Sequence, residues 1–171
     1  IEGDSQNLPF GANLFDAVIN ECAVGIPDDS QKVLDEMVRV VKPGGAIAIH
    51  ESTWKKTIPK NEKEEISERY GTTPLEFDEW IAMLKKAGTT NIISEFDRWS
   101  KPEMFWNIRK DRKVNSFKSV MTTSEKLKTA CRICKIYGIK GVIKVFQNEK
   151  IFYKTILEGK LGYALFKGIK G

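Results

Sequence analysis

Residues 15–50 read FDAVINECAVGIPDDSQKVLDEMVRVVKPGGAIAIH, and this stretch decides the fold. Phe15 to Val24 is a mostly apolar run rich in Val, Ile and Ala, with the length of a buried strand. Pro27-Asp28-Asp29-Ser30 punctuates it, and Asp28, Asp29 and Ser30 are each good helix N-caps. Val33, Leu34, Met37, Val38 and Val41 then recur at helical spacing until Lys42-Pro43-Gly44-Gly45 stops the helix. Ala46 to His50 is a second short apolar strand. Strand, helix and strand with tight connections predict a right-handed crossover between parallel neighbours.

Reading outward, Ile1-Glu2-Gly3-Asp4 looks like the end of a strand entering a loop. Residues 55–73 are polar and broken by Pro59 and Gly71. Phe77, Ile81, Leu84 and Ala87 mark an amphipathic helix ended by Gly88, and Asn91–Phe96 and Leu161–Ile169 read as strands. Between those strands lie helices. Lys101–Lys113 is one, with Pro102 at an early position where proline is tolerated. Thr123-Ser124-Glu125 caps a second, which runs to Tyr137 and stops at Gly138. A third covers Ile139–Leu157, with Asn148 as a candidate break.

The 171 residues suffice for one domain with a sizeable core. An apolar share of 41% and a charged share of 30% exclude a disordered or membrane-embedded class. No apolar run reaches the ~18 residues of a membrane span, and the first residues do not read as a signal peptide. Three cysteines make no disulfide framework, so a cytoplasmic setting is expected. The net charge of +5 hides an asymmetry: residues 1–54 carry nine acids and three bases, residues 98–160 sixteen bases and five acids. Either a catalytic core carries an appended basic element, or the lysines are a solvated surface.

Three stretches occur together in a recognisable order and spacing: Gly3-Asp4-Ser5-Gln6-Asn7-Leu8-Pro9-Phe10, Phe15-Asp16-Ala17-Val18-Ile19, and Glu36-Met37-Val38-Arg39-Val40-Val41-Lys42-Pro43-Gly44-Gly45. They resemble the class I S-adenosylmethionine-dependent methyltransferases of the ubiquinone-biosynthesis and type 11 group. Phe77–Phe96 and Gly162-Tyr163-Ala164-Leu165-Phe166 resemble that family's later helix and closing strands. The resemblance covers roughly residues 1–100 and 160–171. It implies a Rossmann-like, doubly wound α/β sheet in the order 3-2-1-4-5-7-6, with strand 7 antiparallel. On that template residues 1–3 end strand 3, and 16–21, 46–50, 91–97 and 161–169 are strands 4, 5, 6 and 7. The whole chain, 1–171, is then a single partial domain, with 98–160 as a basic helical insert or lid between strands 6 and 7.

The resemblance also implies a site beyond the carboxyl ends of the strands. It assigns Asp4 and Ser5 to adenine recognition and Leu8 to the adenine face, although Asp4 is equally a residue that caps a turn. It places Asn20, Glu21 and Cys22 beside the methionine part of S-adenosylmethionine. Glu21 on an apolar strand needs either a partner such as the cofactor's ammonium or a solvent-facing strand end. After strand 5 come His50, a candidate general base or a structural histidine, and Glu51 and Trp54, candidates for the acceptor side. Trp54 could equally cover the core. The expected partner is a small-molecule methyl acceptor, and no metal is expected. Cys22 also matches the position of a metalloid-binding cysteine in arsenite methyltransferases, which use further cysteines; this chain has only Cys131 and Cys134 besides.

The family's glycine-rich loop and its ribose-binding acid do not occur in these residues and would precede Ile1. The expectation is a chain that does not catalyse methyl transfer as given, with a non-catalytic binding module as the alternative. The unpaired edge of strand 4 would then be covered by a second copy or by another segment. In the insert, Trp99, Phe105, Trp106, Phe117, Phe146, Phe152 and Tyr153 alternate with bases, which suits lid packing. Nucleic-acid or membrane-surface binding is the weaker reading, because the charges do not form a compact motif. Cys131-x-x-Cys134 falls inside a helix and reads as packing, since a lone pair cannot complete a zinc site.

Overall fold

The computed structural model describes residues 2–55, 57–96 and 122–171. Its elements are β1 (Phe15–Glu21), α1 (Ser30–Val40), β2 (Val41–Trp54), α2 (Lys60–Tyr70), β3 (Leu75–Glu76), α3 (Phe77–Lys86), β4 (Thr89–Phe96), α4 (Thr123–Leu157) and β5 (Leu161–Lys170). The sheet runs β1-β2-β5-β4, with β3 pairing the far end of β2. β1 and β2 are parallel, and β5 lies antiparallel to both of its neighbours. This is the 4-5-7-6 part of the implied strand order, with strand 7 reversed. The helix expected over residues 101–113 lies outside the described residues, as do Ile1, Trp99, Phe105, Trp106 and Phe117.

Of the three candidate caps, Asp29 takes the role: its side chain accepts from the Lys32 N–H at 3.0 Å. α1 then buries Val33, Leu34, Met37, Val38 and Val40. At its carboxyl end Lys170 of β5 donates to the carbonyls of Arg39 and Val41 at 3.3 and 2.8 Å, placing a cation where unpaired carbonyls gather. The Lys-Pro-Gly-Gly stretch does more than stop the helix. β2 already begins at Val41, and the register jumps from Phe15–Val41 to Ala17–Ala46. A side chain at Gly45 would lie 2.8 Å from the Asp16 carbonyl and 2.6 Å from Val41 Cγ1, so the bulge closes only with glycine there.

Alternation along β2 divides the sheet's two faces. Ile47 and Ile49 join Leu34, Val38, Trp80, Leu84 and Phe166 in the main core under α1 and α3. On the opposite face, Trp54 packs with Ile66, Ile156 and Leu161 in a smaller cluster under α2 and α4. That second cover does not reach β1. Ala17 and Glu21 are exposed, and Ile19 is 78% exposed, while Val18 on the other face packs against the core. The expected buried strand is therefore an edge strand covered on one side, because its only partner among the described residues is β2.

Other boundaries also moved. β2 continues through His50-Glu51-Ser52-Thr53-Trp54, where the sequence suggested a loop, because each of these residues pairs with β5. Residues 2–3 form no strand: the Asn7 N–H donates to the Asp4 carbonyl and closes a turn, and no described strand lies alongside. α2 was not foreseen, since Ile66 is its only buried residue. It is held by ion pairs from outside itself, Lys160–Glu62 at 2.7 Å and Lys63–Glu76. α4 starts at Thr122, whose hydroxyl accepts from the Glu125 N–H while Glu125 accepts from the Thr122 N–H. It breaks at Gly138 (φ 68°), as its glycine suggested, and not at Asn148, whose side chain donates to the Arg69 carbonyl at 2.7 Å.

Phe166 is fully buried, with its ring 5.2 Å from that of Phe77. Phe166→Ala is expected to cost about 3–5 kcal/mol, read as a lower urea midpoint with little change of slope.

Candidate functional site

A loop pinned along α1 forms one side of the site. The Asp29 N–H donates to Gln6 Oε1 at 3.1 Å, and the Leu8 N–H donates to Glu36 Oε2 at 2.7 Å. Arg39 donates to the carbonyls of Phe10 and Leu8 at 2.9 and 3.1 Å and forms an ion pair with Glu36. The attachment points advance together, 6 to 29, 8 to 36 and 10 to 39, so the loop runs parallel to α1. Its Asp4–Gln6 end therefore lies by the start of α1, at the carboxyl end of β1. Asp4 is exposed, and its Oδ1 accepts the Gln6 N–H at 2.8 Å. The turn-capping role read for Asp4 is thus present, and the side chain remains at the surface. Ser5 and Leu8 are half-buried. The Glu36–Arg39 pair went unrecognised in the sequence. Opposite charges three apart on one helix were the available signal.

The other side is the loop Cys22–Gly25. Glu51, only 1% exposed, extends from β2 and accepts from the N–H groups of Ala23 and Val24 at 2.9 and 2.8 Å. Asn20 Oδ1 also accepts from the Ala23 N–H at 3.1 Å. The Cys22 N–H donates to the His50 carbonyl at 2.7 Å, and the Thr73 N–H to the Gly25 carbonyl at 2.8 Å. Cys22 itself has φ 52°, a left-handed backbone that is uncommon for a side chain bearing Cβ. The loop is therefore shaped by bonds to its backbone from three directions.

His50 faces this loop. Its Nδ1 lies 3.7 Å from Cys22 Sγ, and its ring stacks on Tyr163 at 5.2 Å. Desolvation lowers the His50 pKa against the pull of Glu21, which favours the neutral imidazole. The Cys22 pKa is pushed up to about 12, by desolvation first and then by the charges of Glu51 and Glu21. A nucleophilic cysteine needs the opposite arrangement, a thiolate beside an imidazolium. This pair is a thiol beside a neutral ring.

Of the two alternatives for Glu21 the structure shows the solvent-facing strand end, and the buried carboxylate of this region is Glu51. Glu51, expected in a loop on the acceptor side, lies inside the fold, and Trp54 takes its alternative role of covering the core, at 3% exposure within the second cluster. Asn20, Cys22 and His50 come together through the Cys22 loop, and the Asp4–Gln6 turn is fastened to Asp29 just before α1. Among the described residues no group of three or more His, Cys, Asp or Glu could hold a metal ion.

Burial raises the Glu51 pKa to about 7 from the usual 4.5, against the lowering by the Val24, Ala23 and Ser52 N–H groups. The folded state thus binds this proton more tightly than the unfolded chain. The stabilisation is complete below pH 4.5 and fades as the pH rises through 7, by at most about 3 kcal/mol. Glu51→Gln keeps an oxygen for both N–H groups and removes the ionisation. Urea midpoints of the parent at pH 5.5 and 8 should differ in favour of the lower pH, and the variant should narrow that difference.

Residues 1–49 match a family model described as a methyltransferase domain, of type 11. YodH of Bacillus subtilis, named an uncharacterized methyltransferase, is 32% identical over 88 residues, 51% of this chain and 37% of that protein. The demethylmenaquinone methyltransferase of Paenarthrobacter aurescens is 45% identical over 51 residues, 30% of this chain and 20% of its own length. The chain therefore spans well under half the length of these curated relatives. Among solved structures, phosphoethanolamine N-methyltransferase 2 of Haemonchus contortus, in complex with phosphomonomethylethanolamine and S-adenosylhomocysteine, superposes with a TM-score of 0.63. That match has 18% identity and covers 98% of this chain and 36% of the other, a likeness of fold. The first 49 residues thus match a methyltransferase-domain family in sequence, and nearly all of the chain is similar in fold to solved methyltransferases.

Proposed function

We propose that this chain serves S-adenosylmethionine-dependent methyl transfer to a small-molecule acceptor. The observation that carries the reading is a sheet of methyltransferase-like fold in which the exposed Asp4 turn is fastened to the start of α1 and the Asn20–Cys22 loop follows β1. These residues fit such a donor chemically: Asp4 offers an exposed carboxylate to an adenine amino group, and Glu21 an exposed carboxylate to an ammonium. When bound, S-adenosylmethionine supplies a methyl group already activated on a sulfonium.

The chain's own part is to position and to manage protons. Asp4, Ser5 and Leu8 hold the adenosine side, and Asn20, Glu21 and Cys22 the amino-acid side. His50, favoured as the neutral ring, suits acceptance of a proton from the methyl acceptor. Cys22, kept as a thiol, does not compete for the methyl group as a thiolate would. Glu51 contributes by shaping the loop, from a position too deep to meet an acceptor. In-line positioning then supplies much of the rate. The outer edge of β1 is proposed to pair with a second copy or another segment, and light scattering that shows only monomer at high concentration would remove the second copy.

Calorimetric titration of S-adenosylhomocysteine tests the main reading, using this chain and any longer gene product that contains it. Binding by either, weakened about tenfold by Asp4→Ala, is expected for loss of one hydrogen bond to the ligand. Binding by neither overturns the proposal.

A further inference from the structure

In the described part of the basic insert the charges line up along a helix. In the first half of α4, Leu127, Cys131 and Cys134 stand at i, i+4 and i+7, and all three are exposed. Lys128, Arg132 and Lys135 repeat the same spacing one residue later, and they too are exposed. At 3.6 residues per turn the two rows lie side by side, about 100° apart round the helix. Ala130 and Ile133, half-buried, mark the side turned inward. The outward side is therefore an apolar row flanked by a cationic row. At the end of this half, Ile136 and Tyr137 are 62% and 70% exposed, and Ile139, just past Gly138, is 66% exposed.

The sequence excludes acids from this region. Between Glu125 and Glu149 there are six lysines and arginines and no aspartate or glutamate. A solvated charged face would mix both signs and would not expose large aliphatic and aromatic side chains beside them. An apolar row with lysine and arginine along its border is the pattern of a helix lying in a lipid–water interface: the apolar groups enter the acyl boundary and the long cationic stems reach the headgroups. Among the described residues no helix is long and apolar enough to cross a membrane, so the mode is surface binding.

We propose that the outward face of α4 docks on an anionic lipid surface. Charge complementarity selects this occupant. A second copy would bring the same unbroken cationic row against itself, which is repulsive. A nucleic acid would meet the cations but gives the Leu127 side chain nothing apolar to enter, and the row has no aromatic series for stacking. The inference is independent of the proposed methyl transfer, since it uses no residue of that site.

The test is co-sedimentation of the chain with vesicles of phosphatidylcholine alone or of equal parts phosphatidylcholine and phosphatidylglycerol. Binding is expected only to the anionic vesicles and should weaken with added salt. The triple variant Lys128→Gln, Arg132→Gln, Lys135→Gln should lose about a hundredfold in affinity, about fivefold for each charge. Leu127→Ser with Cys134→Ser should lose about tenfold through reduced apolar burial. All five positions are exposed, and an unchanged circular dichroism spectrum would show that each variant is folded. Absence of sedimentation with the anionic vesicles, equal sedimentation with both kinds, or full retention of binding by both variants overturns the proposal. So does a single-stranded oligonucleotide that binds, loses affinity in the triple variant and is not displaced by the anionic vesicles, an outcome that assigns the face to nucleic acid.

Discussion

The ladder between β2 and β5 is the constraint on which the other elements depend. Every residue from Ala46 to Trp54 has a partner on β5, from Ile169 back to Leu161. The ladder joins segments more than a hundred residues apart, so its closure carries a large share of the chain's loop entropy. Its register also decides which side chains reach which core. A slip of one residue would turn Ile47, Ile49 and Glu51 to the α2–α4 side and bring Ala48, His50 and Ser52 under α1. The carboxylate that shapes the Cys22–Gly25 loop would then be lost together with the main core.

Glu51 shows how the same ladder reaches the site. An isolated buried carboxylate is costly, and burial dominates the shift of its pKa. Ala23 and Val24 offset part of that cost by donating two N–H groups from a loop whose backbone needs partners. The loop in turn fixes Cys22 against His50. A residue placed for the sheet's interior therefore sets the geometry of the exposed residues above it. Substituting it is expected to affect the site without direct contact with a ligand.

The elements with strong local signals were legible. Asp29 and the apolar spacing fixed α1, Gly138 fixed the break in α4, and the order of three family stretches fixed the strand order. What was not legible depends on partners remote in sequence. α2 buries only Ile66 and is held by Lys160 and Glu76, so its own composition carries almost no helical pattern. The extension of β2 to Trp54 needs β5, and the exposure of β1 depends on what stands beside it. That Glu21 faces solvent while Glu51 is buried has the same origin. Both follow apolar strands and are adjacent to polar loops, and only the register places one outside and the other under Val24.

Charge gives the molecule a direction that neither half shows alone. The acidic first 54 residues hold every site residue, among them the exposed Asp4 and Glu21, while the cationic row of α4 comes from the insert. On the proposed readings, a cationic methyl donor and an anionic lipid surface would therefore be drawn to different parts of one chain. Within the site, desolvation works against both charged forms, lowering the His50 pKa and raising that of Cys22. The resulting pair is polar but uncharged, beside an exposed carboxylate. Such a site stabilises a bound cation without offering it a thiolate, and on the proposed reading this keeps the methyl group for the acceptor.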